Sequence, residues 1–178
     1  MKRKIANAFL ECSKRKSVDK ITVKDLVEEC EISRQTFYYH FQDILSVLEW
    51  SFEQSMNETL QHCLKAESAE EAITIVVEHG YQRKDMLRRL LQSQKREFVE
   101  MTLIRIAEQS LEKLMINKNS SLNMSVLEKD TMLTFYASGI AGVLMKYLLN
   151  DNIDSETIAK QIHCLLSDEI ARRGRQDA

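Results

Sequence analysis

The chain has no proline and only four glycines in 178 residues, where the two together ordinarily make up roughly 12% of a protein. Turn-dense sheets draw on both residues. Their scarcity argues against a sheet-rich fold and for long helices joined by short polar connections. Long apolar runs are also missing. The longest, Met132 to Met145, ends at Lys146, well short of the roughly 20 residues that cross a bilayer. Met1-Lys2-Arg3-Lys4 leads into an amphipathic stretch and not an apolar leader. The expectation is a soluble, cytoplasmic protein with no membrane partner.

Chemistry-bearing motifs are scarce too. The sequence has no Gly-rich phosphate loop, no G-x-S-x-G and no H-E-x-x-H, and its four histidines are scattered. Neither an enzyme nor a cofactor is expected. Cys12, Cys30, Cys63 and Cys164 form no C-x-x-C pair and fall in apolar-periodic segments, so buried, reduced thiols are expected. His62-Cys63 and His163-Cys164 are adjacent pairs. On a helix such neighbours point about 100° apart, so no metal site is expected.

A one-signed charge is absent as well. With 25 basic and 27 acidic side chains the net charge is −2, which excludes a wholesale cationic coat. Residues 1–20 nevertheless hold Lys2, Arg3, Lys4, Lys14, Arg15, Lys16 and Lys20 against Glu11 and Asp19. That local excess points to an anionic partner for the N-terminal end.

What is present is a core-forming composition, 44% hydrophobic, with a helical period throughout. Ile5, Ala8, Phe9 and Cys12 mark a helix over about 2–16. Thr22 caps a second helix, carrying Val23, Leu26, Val27 and Cys30, and Ser33 caps a short third one with Phe37 and Phe41. Asp43 starts a long helix to about residue 65. Ser68 begins a weaker one that Gly80 should stop, with His79 as a C-terminal capping side chain. Further helices are expected over 83–93, 95–117, 126–149 and 155–172, with a loop at 117–121 and a turn at 150–152. The fold class is all-α, about nine helices. A three-helix N-terminal domain (1–45) precedes a helical domain (46–178).

Residues 22–41, TVKDLVEECEISRQTFYYHF, have helix-turn-helix spacing: a helix of about eight residues, a short turn and a second short helix. Val23, Leu26, Val27, Ile32, Phe37 and Phe41 would face inward. Ser33, Arg34, Gln35, Thr36, Tyr38, Tyr39 and His40 would face outward. These types suit a duplex: Arg forks onto guanine, Gln onto adenine, and Tyr and His donate to phosphates.

The same stretch resembles the DNA-binding signature of TetR-family transcriptional regulators. The matching residues are Thr22, Val23, Asp25, Leu26, Val27, Ile32, Ser33, Thr36, Phe37, Tyr38, His40 and Phe41. About 45 N-terminal residues carry the specific match; the rest matches in helical layout and length. Residues 34–43 with 48–53 are most similar to the dihydroxyacetone kinase operon activator subgroup. The resemblance implies a homodimer on double-stranded DNA, with Arg34, Gln35, Thr36 and Tyr39 near bases and Thr22, Ser33, Tyr38 and His40 on phosphates. It also implies control through a small-molecule effector, or through a co-activator protein as in that subgroup. Two positions depart from the family pattern. Glu31 stands where a turn glycine is usual, and Ile44 where a lysine often meets a phosphate.

In the body, Trp50, Tyr81, Met86, Phe98, Met101, Phe135 and Tyr136 are the expected lining of an effector pocket. The 126–149 helix is apolar nearly all round, so both of its sides should be buried. Gly139, Gly142, Met145, Ile162 and Leu166 are the expected dimer contacts, giving a four-helix bundle across a twofold axis. The competing expectation is a helical protein–protein adaptor whose helix-turn-helix never touches DNA. It would lack a salt-dependent DNA affinity.

Overall fold

The computed structural model describes residues 1–117, 124–150 and 153–173, with the backbone alone for 117 and 166–173. The expected loop at 117–121 and turn at 150–152 therefore lie mostly outside the described residues. Nine α-helices and one 3-10 turn make up the described elements, with no strand among them. The N-terminal elements are α1 (Lys2–Arg15), the 3-10 turn Val18–Lys20, α2 (Val23–Cys30) and α3 (Arg34–His40). The body comprises α4 (Ile44–Cys63), α5 (Ala69–Gln82), α6 (Lys84–Leu91), α7 (Arg96–Asn117), α8 (Val126–Leu148) and α9 (Ser155–Arg173).

Helix starts follow side-chain chemistry. Thr22 and Asp25 form a reciprocal capping box on α2, as Asp43 and Ser46 do on α4 and Ser125 and Glu128 on α8. Ser33 caps α3 by accepting from the Thr36 backbone N–H at 3.0 Å. Ser68 caps α5 through Glu71. These caps supply the signals that proline and glycine supply elsewhere. The 3-10 turn was not anticipated. It buries Val18 at the bend between α1 and α2.

Gly80 does not stop α5, which continues through it to Gln82. A helical glycine costs about 1 kcal/mol relative to alanine, an amount that tertiary packing can offset. Here Val77 is fully buried one turn earlier and Tyr81 packs against both apolar clusters of the molecule. That packing carries the helix past the glycine.

The main core joins α1, α2, α3, α4, α6 and α7 around Ile5, Phe9, Leu26, Phe37, Val47, Leu48, Leu90, Leu91 and Val99. A smaller cluster seats α9 on α5 through Ile158, Ala159, Ile162 and Val77. Only one side of α8 is fully buried, through Leu133, Ala137, Ala141 and Leu148. Its opposite side, carrying Phe135, Gly139 and Gly142, is open to solvent. No helix among the described residues is long and apolar enough to cross a membrane.

Candidate nucleic-acid interface

The turn between α2 and α3 decides how α3 is presented. Glu31 takes the left-handed conformation, φ 53° and ψ 46°. Its N–H reaches Glu28 O at 3.2 Å, and the Ile32 N–H reaches Val27 O at 3.0 Å. This pair of bonds closes a helix C-terminus in the Schellman manner, with Ile32 packed on the core behind it. Standing where a glycine is usual, Glu31 is thus strained: a non-glycine residue in this region costs roughly 1 kcal/mol.

Phe37 is fully buried and Phe41 nearly so, with Phe41 edge-on to Trp50 at 6.0 Å between ring centres. Those two rings fix the orientation of α3. Its outer face carries Ser33, Arg34, Gln35, Tyr38 and Tyr39, all exposed, with Thr36 and His40 at the margin. Tyr39 is 85% exposed and Tyr38 57%, an unusual display for aromatic rings. The Tyr39 ring stacks edge-on to His40 at 5.0 Å.

The polar ends divide into two sets. The Thr22 hydroxyl sits 2.7 Å from the Asp25 carboxylate within the α2 cap, and the Ser33 and Thr36 hydroxyls lie 2.9 Å apart within the α3 cap. Their first task is structural. The side chains of Arg34, Gln35, Tyr38, Tyr39 and His40 make no hydrogen bond among the described residues. Asp25 is held at about 2, below the usual carboxylate range, by the Lys16 ammonium and then by the Thr22 hydroxyl and N–H. The α2 cap is therefore charged at any ordinary pH.

The basic excess of residues 1–20 is largely spent inside the molecule. Lys14 pairs with Glu11, Arg15 with Glu29, Lys16 with Asp25, and Arg3 with Glu58. Lys2, Lys4 and Lys20 make no ion pair among the described residues, and Lys2 lies over the Phe41 ring at 5.5 Å. At Ile44 the chain offers no cation. The side chain packs on the core, and the N-terminus of α4 is filled by the Asp43–Ser46 cap.

A second feature lies in the body. A cavity of about 250 Å³ opens among α1, α4, α5, α6, α7 and α8. Of the residues expected around an effector pocket, Trp50 and Met86 line this cavity. Tyr81, Phe98, Met101, Phe135 and Tyr136 do not. Tyr81 spends its hydroxyl on Ile153 O at 3.0 Å, and Phe98 packs on the main core. Met101 and Phe135 face solvent at 66% and 67% exposure, with Tyr136 edge-on to Phe135. The helical period places residues on a face. It does not say whether that face meets a void, another helix or water.

His79 is a correction of a different kind. It caps nothing. Its Nε2 lies 2.8 Å from Ser55 Oγ, and its Nδ1 lies 2.7 Å from Thr59 Oγ1 and 3.1 Å from Arg83 Nη1. A guanidinium can only donate, so Nδ1 accepts and the proton sits on Nε2. Burial, then the neighbouring Arg83 charge, lowers the imidazole to about 4, so it is neutral at ordinary pH. Burial also lowers Arg83 from its usual value. The signal for this cluster was present as two i,i+4 polar pairs, Ser55–Thr59 and His79–Arg83, on neighbouring helices.

The expected dimer contacts separate in the same way. Gly139 and Gly142 are exposed, and a Cβ added at either would meet nothing within 4 Å among the described residues. Met145 instead lines the cavity, and Ile162 is buried against α5. The Leu166 side chain lies outside the described residues. Cys12, Cys30 and Cys63 are buried as expected, while Cys164 is exposed, on the outer side of α9 with Leu165. No group of metal-ligating side chains converges among the described residues.

Residues 67–168 match the TetR-type family described as "Transcriptional regulator C-terminal region". The chain is 23% identical over 165 residues to the HTH-type dhaKLM operon transcriptional activator DhaS of Lactococcus lactis subsp. lactis (strain IL1403), covering 92% of this chain and 87% of that protein. A solved structure of the dihydroxyacetone kinase operon activator DhaS superposes with a TM-score of 0.70 at 22% identity, covering 96% of each chain. The TetR family repressor AlkX from Dietzia sp. strain DQ12-45-1b superposes at 0.66 with 14% identity, covering 95% of this chain and 97% of that one.

Proposed function

The chain belongs to the TetR family of transcriptional regulators, and from that premise we propose that it is a sequence-specific DNA-binding regulator acting as a homodimer on a palindromic operator. The observation that carries this reading is the outer face of α3. Arg34, Gln35, Tyr38 and Tyr39 are exposed with their polar ends unspent, on a helix held rigid by buried Phe37 and Phe41. An isolated globular protein gains nothing from displaying two tyrosines in this way. A duplex supplies phosphates and base edges for every one of these groups.

Residues 1–45 form the proposed DNA-binding domain and 46–178 the dimerisation and effector domain. Arg34, Gln35, Thr36 and Tyr39 approach bases. Tyr38 and His40 hold phosphates, while Thr22 and Ser33 chiefly order the two helix starts and offer their backbone N–H groups. One seven-residue helix covers few base pairs. Two of them, one helical turn of DNA apart (roughly 34 Å), match a twofold-symmetric site. The proposed dimer face is the exposed side of α8 and α9, around Gly139 and Gly142.

Control is proposed to act by population shift. An occupant of the body would favour one arrangement of α4 and α6 against the N-terminal domain and so change the separation of the two recognition helices. The cavity favours a small-molecule effector over a co-activator protein as that occupant. The test is titration of the purified protein against its own upstream intergenic DNA and a random duplex at several salt concentrations. Tighter cognate binding with two protomers per site and a steep salt slope is expected. No binding to any duplex at low salt would sink the reading and leave the adaptor.

A further inference from the structure

The cavity is apolar along most of its wall, with Trp50, Met56, Leu87, Ile106, Leu144 and Met145 among its lining. One cluster is not apolar. Ser55, His79 and Arg83 all line the cavity and are joined by hydrogen bonds of 2.8 and 3.1 Å through the imidazole. Three charged side chains line the space, Arg3, Glu58 and Arg83. Glu58 is taken by Arg3 at 2.7 Å. Arg83 has no ion pair among the described residues, and its side chain's one hydrogen bond there goes to His79. His79 cannot balance it, because an imidazole that accepts from a guanidinium is neutral. The charged lining therefore carries a net charge of +1, and its half-buried Arg83 guanidinium has Glu58 only as a longer-range attraction and no direct ion pair among the described residues. Leaving such a charge unpaired is costly.

We infer that this cavity is the receptor site for a small amphiphilic monoanion, a carboxylate on an apolar body, anchored by Arg83. The planar fork of the guanidinium matches a carboxylate, and one negative charge neutralises the lining. The Nε2–H of His79 donates to Ser55 Oγ, which leaves the serine hydroxyl proton unspent at the other edge of the imidazole. The apolar body fills the space beneath Trp50. At about 250 Å³ the site is slightly smaller than the roughly 300–1,000 Å³ of drug-sized ligand pockets, so the ligand is small. Gly80 also lines the space, and a Cβ there would meet nothing within 4 Å. This inference deepens the effector arm of the proposed function and rests on it for any consequence at the operator.

Binding can be read without DNA, so its failure is distinct from failure of the regulator reading. Trp50 is the chain's one tryptophan and lines the cavity, so its emission reports occupancy. The full-length protein would be titrated with octanoate, with 1-octanol as the uncharged control and acetate as the control without an apolar body. Octanoate should give a saturable change, 1-octanol should bind about tenfold or more weakly, and acetate should give none. Arg83→Gln should weaken octanoate by about 10–100-fold, the loss expected of a charge-assisted pair, and leave 1-octanol unchanged. Should Arg83→Gln fail to fold, Gly80→Leu keeps the test alive. It improves helix propensity while filling the cavity, and should abolish octanoate binding in a folded protein. Equal affinity for octanoate and 1-octanol, no saturable response to octanoate, or undiminished octanoate binding in either folded variant would overturn the inference.

Discussion

Gln35 and Tyr38 sit on one exposed face yet should fail differently when changed. Gln35 points a forked amide outward with no partner among the described residues, so Gln35→Ala should cost roughly 1–3 kcal/mol on the cognate duplex and little on random DNA. Tyr38→Phe removes the proposed phosphate donor and should weaken all duplexes about equally. Competition titration with both duplexes separates the two, and equal losses for Gln35→Ala would remove it from the base readers. Glu31 supplies a stability test. Its left-handed backbone is one that glycine adopts freely, so Glu31→Gly should stabilise the fold by about 0.5–1 kcal/mol, raising the Tm by roughly 1–4 °C. An unchanged or lower Tm in scanning calorimetry would mean that the strain is relieved elsewhere. His79 gives a pH window. Burial and Arg83 depress it from 6.5 to about 4, so the unfolded chain binds its proton first as the pH falls. The associated stability is complete above about pH 6.5 and is lost progressively towards pH 4, by on the order of 1–2 kcal/mol for a part-exposed group screened by solvent. His79→Gln keeps a donor and an acceptor but cannot titrate. The gap in urea midpoint between the two proteins should therefore shrink with acid across that window; a gap independent of pH would show that the imidazole titrates normally.

At the scale of elements, the helices were legible because their starts are local chemistry. Thr22, Ser33, Asp43 and Ser68 announce α2 to α5 through side chains that reach only three residues along. The inward Phe37 and outward Arg34–Gln35 are likewise a matter of period alone. The cavity was not legible, because it is a gap left where six helices meet, and only two of the seven bulky side chains expected around it face that gap. Gly80 misled for the same reason: its local signal is a stop, while its tertiary setting keeps the helix going. The most informative element is α6, just eight residues long. Met86 and Leu87 face the cavity, while Arg89 Nη1 donates to Ser13 O at 2.5 Å at the end of α1. Just beyond, Lys95 pairs with Asp19 of the 3-10 turn at 3.3 Å. On the other side Arg88 donates to Leu148 O at 3.2 Å at the end of α8. A short helix tied to the N-terminal domain, the cavity and α8 is suited to carry a shift between them. Arg89→Gln is accordingly expected to leave octanoate binding intact and to shrink the ligand's effect on operator affinity, typically about 5–150-fold for allosteric couplings, towards none. An undiminished effect would route the coupling through α4 instead.

For the whole molecule, the exposed side of α8 poses a question that one protomer cannot answer. Phe135 is 67% exposed there and Leu165 of α9 is 68% exposed. Beside Phe135 a folded monomer would gain from alanine or a larger residue, since each helical glycine costs about 1 kcal/mol. Nothing among the described residues requires Gly139 or Gly142, because an added Cβ meets none of them within 4 Å. Glycines that the described protomer does not need, beside an apolar group that it leaves bare, are what the proposed dimer would require, with a second backbone approaching from outside. Gly142→Leu should then leave the fold intact, with a Tm in dilute solution no lower than that of the parent monomer, while sedimentation shifts from dimer to monomer. The consequence at DNA is quantitative. The slope of log affinity against log salt is about −0.9 for each phosphate neutralised, and a dimer brings two sets of Lys2, Lys4, Lys20 and Arg34 to the duplex. The monomeric variant should bind a half-site with about half the parent's slope and lose preference for the paired site. A Gly142→Leu protein that sediments as the parent does and keeps the full slope would place the dimer face away from α8, and with it the spacing of the two recognition helices.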